Sequence, residues 1–333
     1  MGSALLLLLT IAATGSSPYQ VSYEDVSFPS GELKMAGTLF RPKATGPVPA
    51  VVLIHGSGQT DRSSLRYFAT KFAKNGIAAL AYDKRGVGKS EGPPLAWRNY
   101  NFNDLASDAA AAVAYLRTRP DIDGSKVGIF GASQGGWVAP LAARRAGSIR
   151  FLVMVSASVC TVAEDNLFER DARLRQEGFS EAEIKEVHEM HLVDLEVSRS
   201  GKRFDEYSRL WEANKSKKWF RRVYLGDEPM GINHPWRQWY RTIMDFDPVP
   251  VLEELKIPTI WLFGDPDLDR FGPVRQSVEV LERLRASGKD YEIKIFPGAD
   301  HSLQLKHGEA PFEAPLLAWL KNRLEASKPG QMP

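Results

Sequence analysis

The alternation of apolar and polar segments along the chain predicts an α/β fold. Short apolar runs at 49–54, 77–82 and 127–130 have the composition of strands that are buried on both faces. A segment with helical spacing, 103–117, lies between the second and the third of these runs, and Asn103 is the predicted N-cap. Strands of this kind that alternate with helices form a parallel sheet wrapped by helices. We therefore expect a mostly parallel central sheet flanked by helices.

Elements of the same types precede and follow this central region. Two alternating segments, 21–28 and 33–41, flank a Pro-Ser-Gly turn signal and predict a hairpin. The other predicted strands cover 151–155, 259–263 and 291–296, and the other predicted helices cover 66–75, 136–145, 274–286 and 310–324.

The alternation stops between Ser158 and Phe246. This stretch is charged and helical in pattern and contains no apolar run typical of a buried strand. It predicts a helical lid or cap inserted between two sheet strands, which divides the core into 18–157 and 247–327; the alternative is a peripheral helical decoration that does not touch substrate. Its four tryptophans suit either an apolar or aromatic substrate group or a small core of the lid itself, and they are Trp211, Trp219, Trp236 and Trp239.

The N-terminus carries an apolar run, Ala4–Ala13, that is followed by small residues. The run is too short to span a bilayer as a stable helix and is typical of a signal peptide. Residues 1–17 are therefore predicted to direct export to the periplasm or the medium of a bacterium, with no stable membrane span in the mature chain. No positive charge precedes the run, and the alternatives are an uncleaved anchor or a start codon assigned too far downstream.

Composition and charge narrow the classes of function. The 333 residues are 43% hydrophobic and 25% charged, which is ordinary for a globular protein, and the net charge of +2 shows no nucleic-acid footprint. The single cysteine, Cys160, excludes an internal disulfide and is expected to be buried. No metal or cofactor is expected: no cysteine or histidine cluster is present, and the segment Gly88–Ser90 lacks the first glycine of a phosphate-binding loop because Asp83 occupies that position.

A candidate nucleophile lies where the 127–130 strand ends. Residues 131–135 read Gly-Ala-Ser-Gln-Gly and fit the G-x-S-x-G pattern, directly before the helical segment 136–145. A sharp turn from strand to helix would expose the Ser133 hydroxyl above the sheet, and the flanking glycines let the neighbouring backbones approach. The alternative is a glycine-rich turn without a catalytic role.

The partners that a serine nucleophile needs occur in the required chain order. His301 follows the last predicted strand and is the candidate base, whereas a loop histidine that caps the final helix is the alternative. Three aspartates follow the strand 259–263, and Asp267 is ranked first as the orienting carboxylate because it is far enough along to reach back over the sheet. Asp265 is ranked second and is expected to shape the turn, while Asp269 lies on the same loop and Asp300 is expected to be loop structure.

The loop after the 49–54 strand is the candidate partner in an oxyanion hole. The backbone N–H of Gln134, directly after the serine, would supply one donor, and that of Ser57 or Gly58 the second. His55 is expected to order this loop, and Asp61–Arg62 to hold it through an ion pair or else to be a solvated pair.

Together these motifs resemble the α/β-hydrolase superfamily over essentially the whole mature chain. Within it, the sequence is most similar to bacterial serine esterases related to dienelactone hydrolases and to the acyl-CoA thioesterase and prolyl-oligopeptidase-like branch. It departs from many members at Ala132, where they carry histidine, and in its long lid. The residues that carry the resemblance are His55–Gly58, Asp61–Arg62, Tyr82–Ser90, Gly131–Gly136 and the loops of Asp267 and His301.

The resemblance implies hydrolysis of a small-molecule carboxylic ester through a Ser-His-Asp triad and an acyl-enzyme. Peptidases, amidases and acyltransferases share the same motifs and remain alternatives. A catalytically silent binding module is the alternative of another class. The sequence leaves the acyl and alcohol specificity and the oligomeric state open.

Overall fold

A computed structural model describes residues 19–93, 100–224 and 226–325, and its centre is an eight-stranded sheet. The predicted signal peptide, residues 1–17, lies outside the described residues. The strands are β1 (Val21–Ser30), β2 (Leu33–Pro42), β3 (Val48–Ile54), β4 (Ala78–Tyr82), β5 (Ile122–Ala132), β6 (Leu152–Val155), β7 (Thr259–Phe263) and β8 (Tyr291–Ile295).

The strand order is β1-β2-β4-β3-β5-β6-β7-β8. The hairpin β1–β2 is antiparallel and joins β4 in antiparallel fashion, whereas every pair from β4 to β8 is parallel. The predicted mostly parallel sheet is therefore confirmed. Because the parallel strands share one direction, the loops that follow β3, β5, β6, β7 and β8 meet at one edge of the sheet, which is where α/β sheets bind ligands.

Helices cover both faces of the sheet, and alternate strand residues contribute to two separate apolar layers. The helices are α1 (Arg66–Lys74), α2 (Phe102–Thr118), α3 (Gly135–Ala146), α4 (Val162–Gln176), α5 (Glu181–Ser200), α6 (Phe204–Asn214), α7 (Phe220–Val223), α8 (Pro235–Tyr240), α9 (Val249–Glu254), α10 (Val274–Ala286) and α11 (Glu313–Glu325). In β3, Val52 packs with helices α2 and α3, whereas Val51 and Leu53 pack with α1 and α11.

The N-cap of α2 is Asn101, not the predicted Asn103. The Asn101 side chain accepts hydrogen bonds from the N–H groups of Asn103 and Asp104, and the Asp104 carboxylate accepts from the Asn101 N–H in return. This capping box pairs two groups that the helix itself leaves unpaired, which favours a start two residues earlier.

The segment between β6 and β7 is helical and is called the cap here (residues 158–246). It contains α4 to α8 and has an apolar cluster of its own, built mainly from α5, α6 and α7. Trp211 and Trp219 belong to this cluster and are almost fully buried. None of the helices in the described ranges has both the length and the apolar composition to cross a bilayer.

Candidate active site

Ser133 lies at a tight turn between β5 and α3. Its φ of 50° is in the left-handed region, which is strained for a residue other than glycine. Both flanking glycines are required by close backbone contacts: a Cβ at Gly131 would lie 2.6 Å from the Gly135 carbonyl oxygen, and a Cβ at Gly135 would lie 2.9 Å from the Ile54 oxygen. The Ser133 N–H donates to Val155 O at 2.9 Å, which fixes the turn to the end of β6.

His301 lies on the loop after β8 and is held by a buried carboxylate. Its Nδ1 is 2.9 Å from each carboxylate oxygen of Asp269, whose side chain is only 1% exposed. The Ser156 hydroxyl donates to the His301 carbonyl oxygen at 2.7 Å and ties the loop to the end of β6. An aspartate in this position fixes the imidazole tautomer and would stabilise the imidazolium.

The ranking of Asp267 as the orienting carboxylate is wrong in this structure. The Asp267 side chain is 77% exposed and pairs with Arg275 on α10, away from His301. Asp265 shapes the turn as expected, because its side chain accepts hydrogen bonds from the N–H groups of Asp267 and Gly298 at 3.0 and 2.8 Å. The Asp269 N–H donates to Asp265 O, so the chain folds back and places Asp269, two residues beyond the prediction, against the histidine.

The His301 imidazole lies next to a residue that lines the Ser133 cavity but forms no hydrogen bond with Ser133 in the described chain. Phe271 lines the cavity together with Ser133, and its ring centroid is 5.0 Å from that of His301. Within the described residues, the Ser133 hydroxyl makes no hydrogen bond to the imidazole. Catalytic hydrogen bonds are often long in the free enzyme and tighten when substrate binds.

The predicted oxyanion donors surround Ser133. Ser57 and Gln134 line its cavity, and a Cβ at Gly56 would lie 3.5 Å from that of Ser133. In the described chain the backbone N–H groups of Ser57, Gly58 and Gln134 have no acceptor. Of the two alternatives for the second donor, the structure favours Ser57, since Gly58 is not among the residues that line the cavity.

Lys84 links the loop after β3, which carries Ser57, to Gln134, and the sequence patterns did not predict this role. Its ammonium group, in a side chain that is almost fully buried, donates to Gly56 O at 2.8 Å, to Gly58 O at 2.9 Å and to the Gln134 side-chain oxygen at 3.1 Å. Burial lowers the pKa of Lys84 to about 8. The available signal was a lysine two residues after the end of the buried strand β4, where a charged side chain must find partners inside the fold.

Two further side chains hold the loop after β3. His55 is buried, and its Nε2 lies 2.5 Å from the Tyr82 carbonyl oxygen, so it orders the loop as expected; burial lowers its pKa to about 4. The expected Asp61–Arg62 pair does not form. Arg62 instead pairs with Asp83 at 2.8 Å, while the Asp61 carboxylate accepts from the Ser63 N–H at 2.8 Å.

The cap forms one wall of the cavity at Ser133, which has a volume of about 380 Å³. Helix α4 contributes Asp165, Asn166 and Glu169, and helix α8 contributes Trp236, Trp239 and Tyr240. The four cap tryptophans therefore have two different locations. Trp211 and Trp219 belong to the cap's own core, whereas Trp236 and Trp239 on α8 line the cavity.

Asp165 is the most deeply buried acidic group of this lining. It is 7% exposed, and burial, as the largest cause, raises the pKa of its carboxyl to about 7. Its Oδ1 is buried without a hydrogen-bond partner. One residue along, the Asn166 amide donates to the Tyr240 hydroxyl at 2.9 Å and joins α4 to α8.

Cysteine and metal chemistry were two other possibilities for a reaction centre. Cys160 is buried, as expected, and burial raises the pKa of its thiol. Across the described ranges, no group of three or more His, Cys, Asp or Glu side chains is arranged to hold a metal ion.

Comparison with known proteins places this geometry in a family. A 112-residue segment is 38% identical to the quorum-quenching protein AidA of Acinetobacter baumannii and covers 34% of this chain and 36% of that protein. A longer match, 23% identical over 283 residues, covers 83% of this chain and 60% of the esterase EstD of Thermotoga maritima. The chain thus spans less than two thirds of the length of each of these relatives.

The fold recurs in solved structures. The alpha/beta hydrolase GrgF of Penicillium sp. sh18 superimposes with a TM-score of 0.61 at 18% identity, over 92% of this chain and 100% of that one. Residues 51–314 match the model of the alpha/beta hydrolase family. The expected resemblance is confirmed, and the protein belongs to the alpha/beta hydrolase family.

Proposed function

We propose that the protein is a serine hydrolase that cleaves carboxylic esters through an acyl-enzyme. One observation carries the proposal: a serine at a strained strand–helix turn lines a cavity together with Phe271, whose ring centroid is 5.0 Å from that of a histidine held by a buried aspartate. Membership of the family and the similarity to an esterase support it.

In the first step, His301 Nε2 accepts the proton of Ser133 as its Oγ attacks the ester carbonyl. The negative charge that develops on the carbonyl oxygen is stabilised by the N–H groups of Gln134 and Ser57, of which the first also lies at the N-terminus of α3. Asp269 accepts the Nδ1–H of the histidine and stabilises the imidazolium. His301 then donates the proton to the leaving alcohol, and the acyl group stays on Ser133.

In the second step, water attacks the acyl-enzyme with His301 again as the base. The carbonyl carbon–Ser133 bond breaks, the proton returns to Ser133 Oγ, and the carboxylic acid leaves. The chemistry needs no group beyond these side chains and backbone amides.

The test is the hydrolysis of p-nitrophenyl esters from acetate to palmitate by the wild type and the Ser133→Ala variant. We expect the variant to lose at least ~10⁴-fold in kcat, because no other group can carry the acyl intermediate. A cavity of this size beneath the cap predicts an optimum at short acyl chains. Ser107→Ala, which changes a serine on the exposed side of α2, is the matched control.

Labelling of Ser133 by a fluorophosphonate separates the competing interpretations. Labelling without turnover of any ester would favour an amide substrate or acyl transfer, and p-nitroanilides would then be tested. A Ser133→Ala variant with near wild-type turnover would contradict the proposal.

A further inference from the structure

The charged side chains that line the Ser133 cavity are all acidic. Among the described residues that line it, Asp165 and Glu169 are the charged ones, and no lysine, arginine or histidine is present. His301 lies beside the cavity next to Phe271, and its charge acts to lower the pKa of the Asp165 carboxyl, which burial raises. Two other cations of the region are directed elsewhere. The Lys84 ammonium group is occupied by three oxygens behind Gln134, and the Arg170 guanidinium lies 5.9 Å from the Tyr224 ring in a separate cavity of the cap.

The remaining wall of the cavity is largely aromatic. The indole N–H groups of Trp137 and Trp239 donate to the backbone oxygens of Cys160 and Tyr100 at 2.9 and 2.8 Å. These hydrogen bonds fix the two indoles in the wall, and the Trp137 ring also stacks on that of Phe102 with centroids 5.6 Å apart. The aromatic lining residues are Phe102, Trp137, Trp236, Trp239, Tyr240 and Phe271.

Neither carboxylate forms an ion pair in the described part of the chain. Asp165 is more than nine-tenths buried, and its Oδ1 makes no hydrogen bond, while a hydrogen bond from the Ser158 side chain acts to lower the carboxyl pKa that burial raises. Glu169 lies one helical turn along the same face of α4 and forms no ion pair with a described residue. A buried carboxylate oxygen without a partner is costly, so a cation that entered the cavity and reached Asp165 Oδ1 would remove this cost.

We propose that this cavity binds an ammonium cation, so that the protein prefers esters whose acyl or alcohol part carries an ammonium group. The inference rests on the proposed esterase function and names its substrate class. Carboxylates attract the charge, and aromatic faces bind quaternary or protonated amines through cation–π contacts. Anionic esters are disfavoured in the same cavity, because no lining group can pair with them.

Two thioesters that differ only in charge provide the kinetic test. S-acetylthiocholine and S-(3,3-dimethylbutyl) thioacetate have the same shape, with nitrogen replaced by carbon in the second. We expect kcat/KM of the wild type to be at least about tenfold higher for the cation, a difference within reach of one carboxylate and one cation–π contact. A ratio of one or less would overturn the inference.

Charge removal assigns the preference to the α4 carboxylates. Glu169→Gln and Asp165→Asn should each lower the ratio by about threefold or more, through a lower kcat/KM for the cationic thioester. Glu189→Gln, which removes a charge from the outer face of the cap, is the matched control and should leave the ratio unchanged. A preference that persists in both cavity variants would also contradict the assignment.

Binding to the Ser133→Ala variant makes the test independent of catalysis. Calorimetry with acetylcholine and with 3,3-dimethylbutyl acetate should show tighter binding of the cation by about tenfold, and the difference should shrink in the Ser133→Ala/Glu169→Gln double variant. If the wild type cleaves no ester, the proposed function fails, and this binding ratio alone decides the inference. Equal binding of the two ligands, or no binding of the cation, would overturn it.

Discussion

The two sides of the cavity are built in different ways. The sheet side, consisting of Ser133, His301, Asp269 and Lys84, lies on loops at strand ends and is fixed by hydrogen bonds to backbone groups. The cap side, consisting of Asp165, Glu169, Trp236 and Trp239, projects from two helices that are joined by side-chain contacts. The difference suits a division of work: geometry that a reaction requires is set by the backbone, and selectivity is set by side chains that can change without moving the sheet.

The cap shows the same division on a smaller scale. Trp219 is 1% exposed and packs in the cap's own cluster, whereas Trp239, only 20 positions along the chain, faces the cavity. Residues of one type in one segment thus stabilise the cap in one case and contact the ligand space in the other. The two tryptophans differ in the direction in which their side chains point, and this direction depends on the local backbone of each.

The largest effect is expected on the sheet side, from Asp269→Asn. The amide would favour the wrong imidazole tautomer and would not stabilise the imidazolium, so we expect kcat to fall by ~10³–10⁴-fold for every ester. Asp267→Asn, on the same loop but exposed, should stay within about twofold of the wild type. Steady-state kinetics of the two variants check the assignment, and the reverse pattern would restore Asp267 as the orienting residue.

Lys84→Met tests whether this lysine positions the oxyanion donors. The variant removes three hydrogen bonds to Gly56, Gly58 and Gln134, so we expect kcat to fall by about 10–100-fold with KM within about threefold, less than the loss of a donor itself. A merely structural role would lower the melting temperature without this split. Lys89→Met, on the same loop with an exposed side chain, is the matched control.

The pH dependence of activity is a second test of the role of Lys84. The pKa of Lys84 is lowered to about 8, so the ammonium form is present below that pH and is lost above it. A neutral amine has two N–H groups and cannot donate to all three oxygens. Activity of the wild type should therefore decline above about pH 8, and Lys84→Met should lack this basic limb; an unchanged limb would contradict the role.

The smallest effects are expected from the tryptophans of the cap. Trp239→Phe should raise KM by about threefold with little change in kcat, because it alters a cavity wall and no reacting group. Trp219→Phe should leave both constants unchanged and lower the free energy of unfolding by about 1–2 kcal/mol, as expected for a smaller side chain in a packed cluster. Kinetics and thermal unfolding of both variants distinguish the roles, and a KM effect from Trp219→Phe would break the comparison.

The sequence by itself determined the fold class and the positions of Ser133 and His301 along it. Both depend on local patterns: apolar runs that must be buried, a turn that only glycines permit, and a histidine directly after a strand. The structure has β7 and α10 at the predicted bounds and places Ser133 at the predicted turn between strand and helix. The catalytic role of Ser133 stays a prediction until the variants are measured.

Only the tertiary structure determined which aspartate contacts His301, which groups Lys84 binds and which side chains line the cavity. Reach along the chain ranked Asp267 above Asp269, but the hydrogen bonds of Asp265 turn the loop back and reverse that order. Lys84 finds its three oxygens on two loops that are distant in sequence, and the acidic lining of α4 exists only where the cap meets the sheet. Local pattern shows which groups are present, whereas side-chain direction depends on contacts between segments far apart in the chain, and these have no local signature.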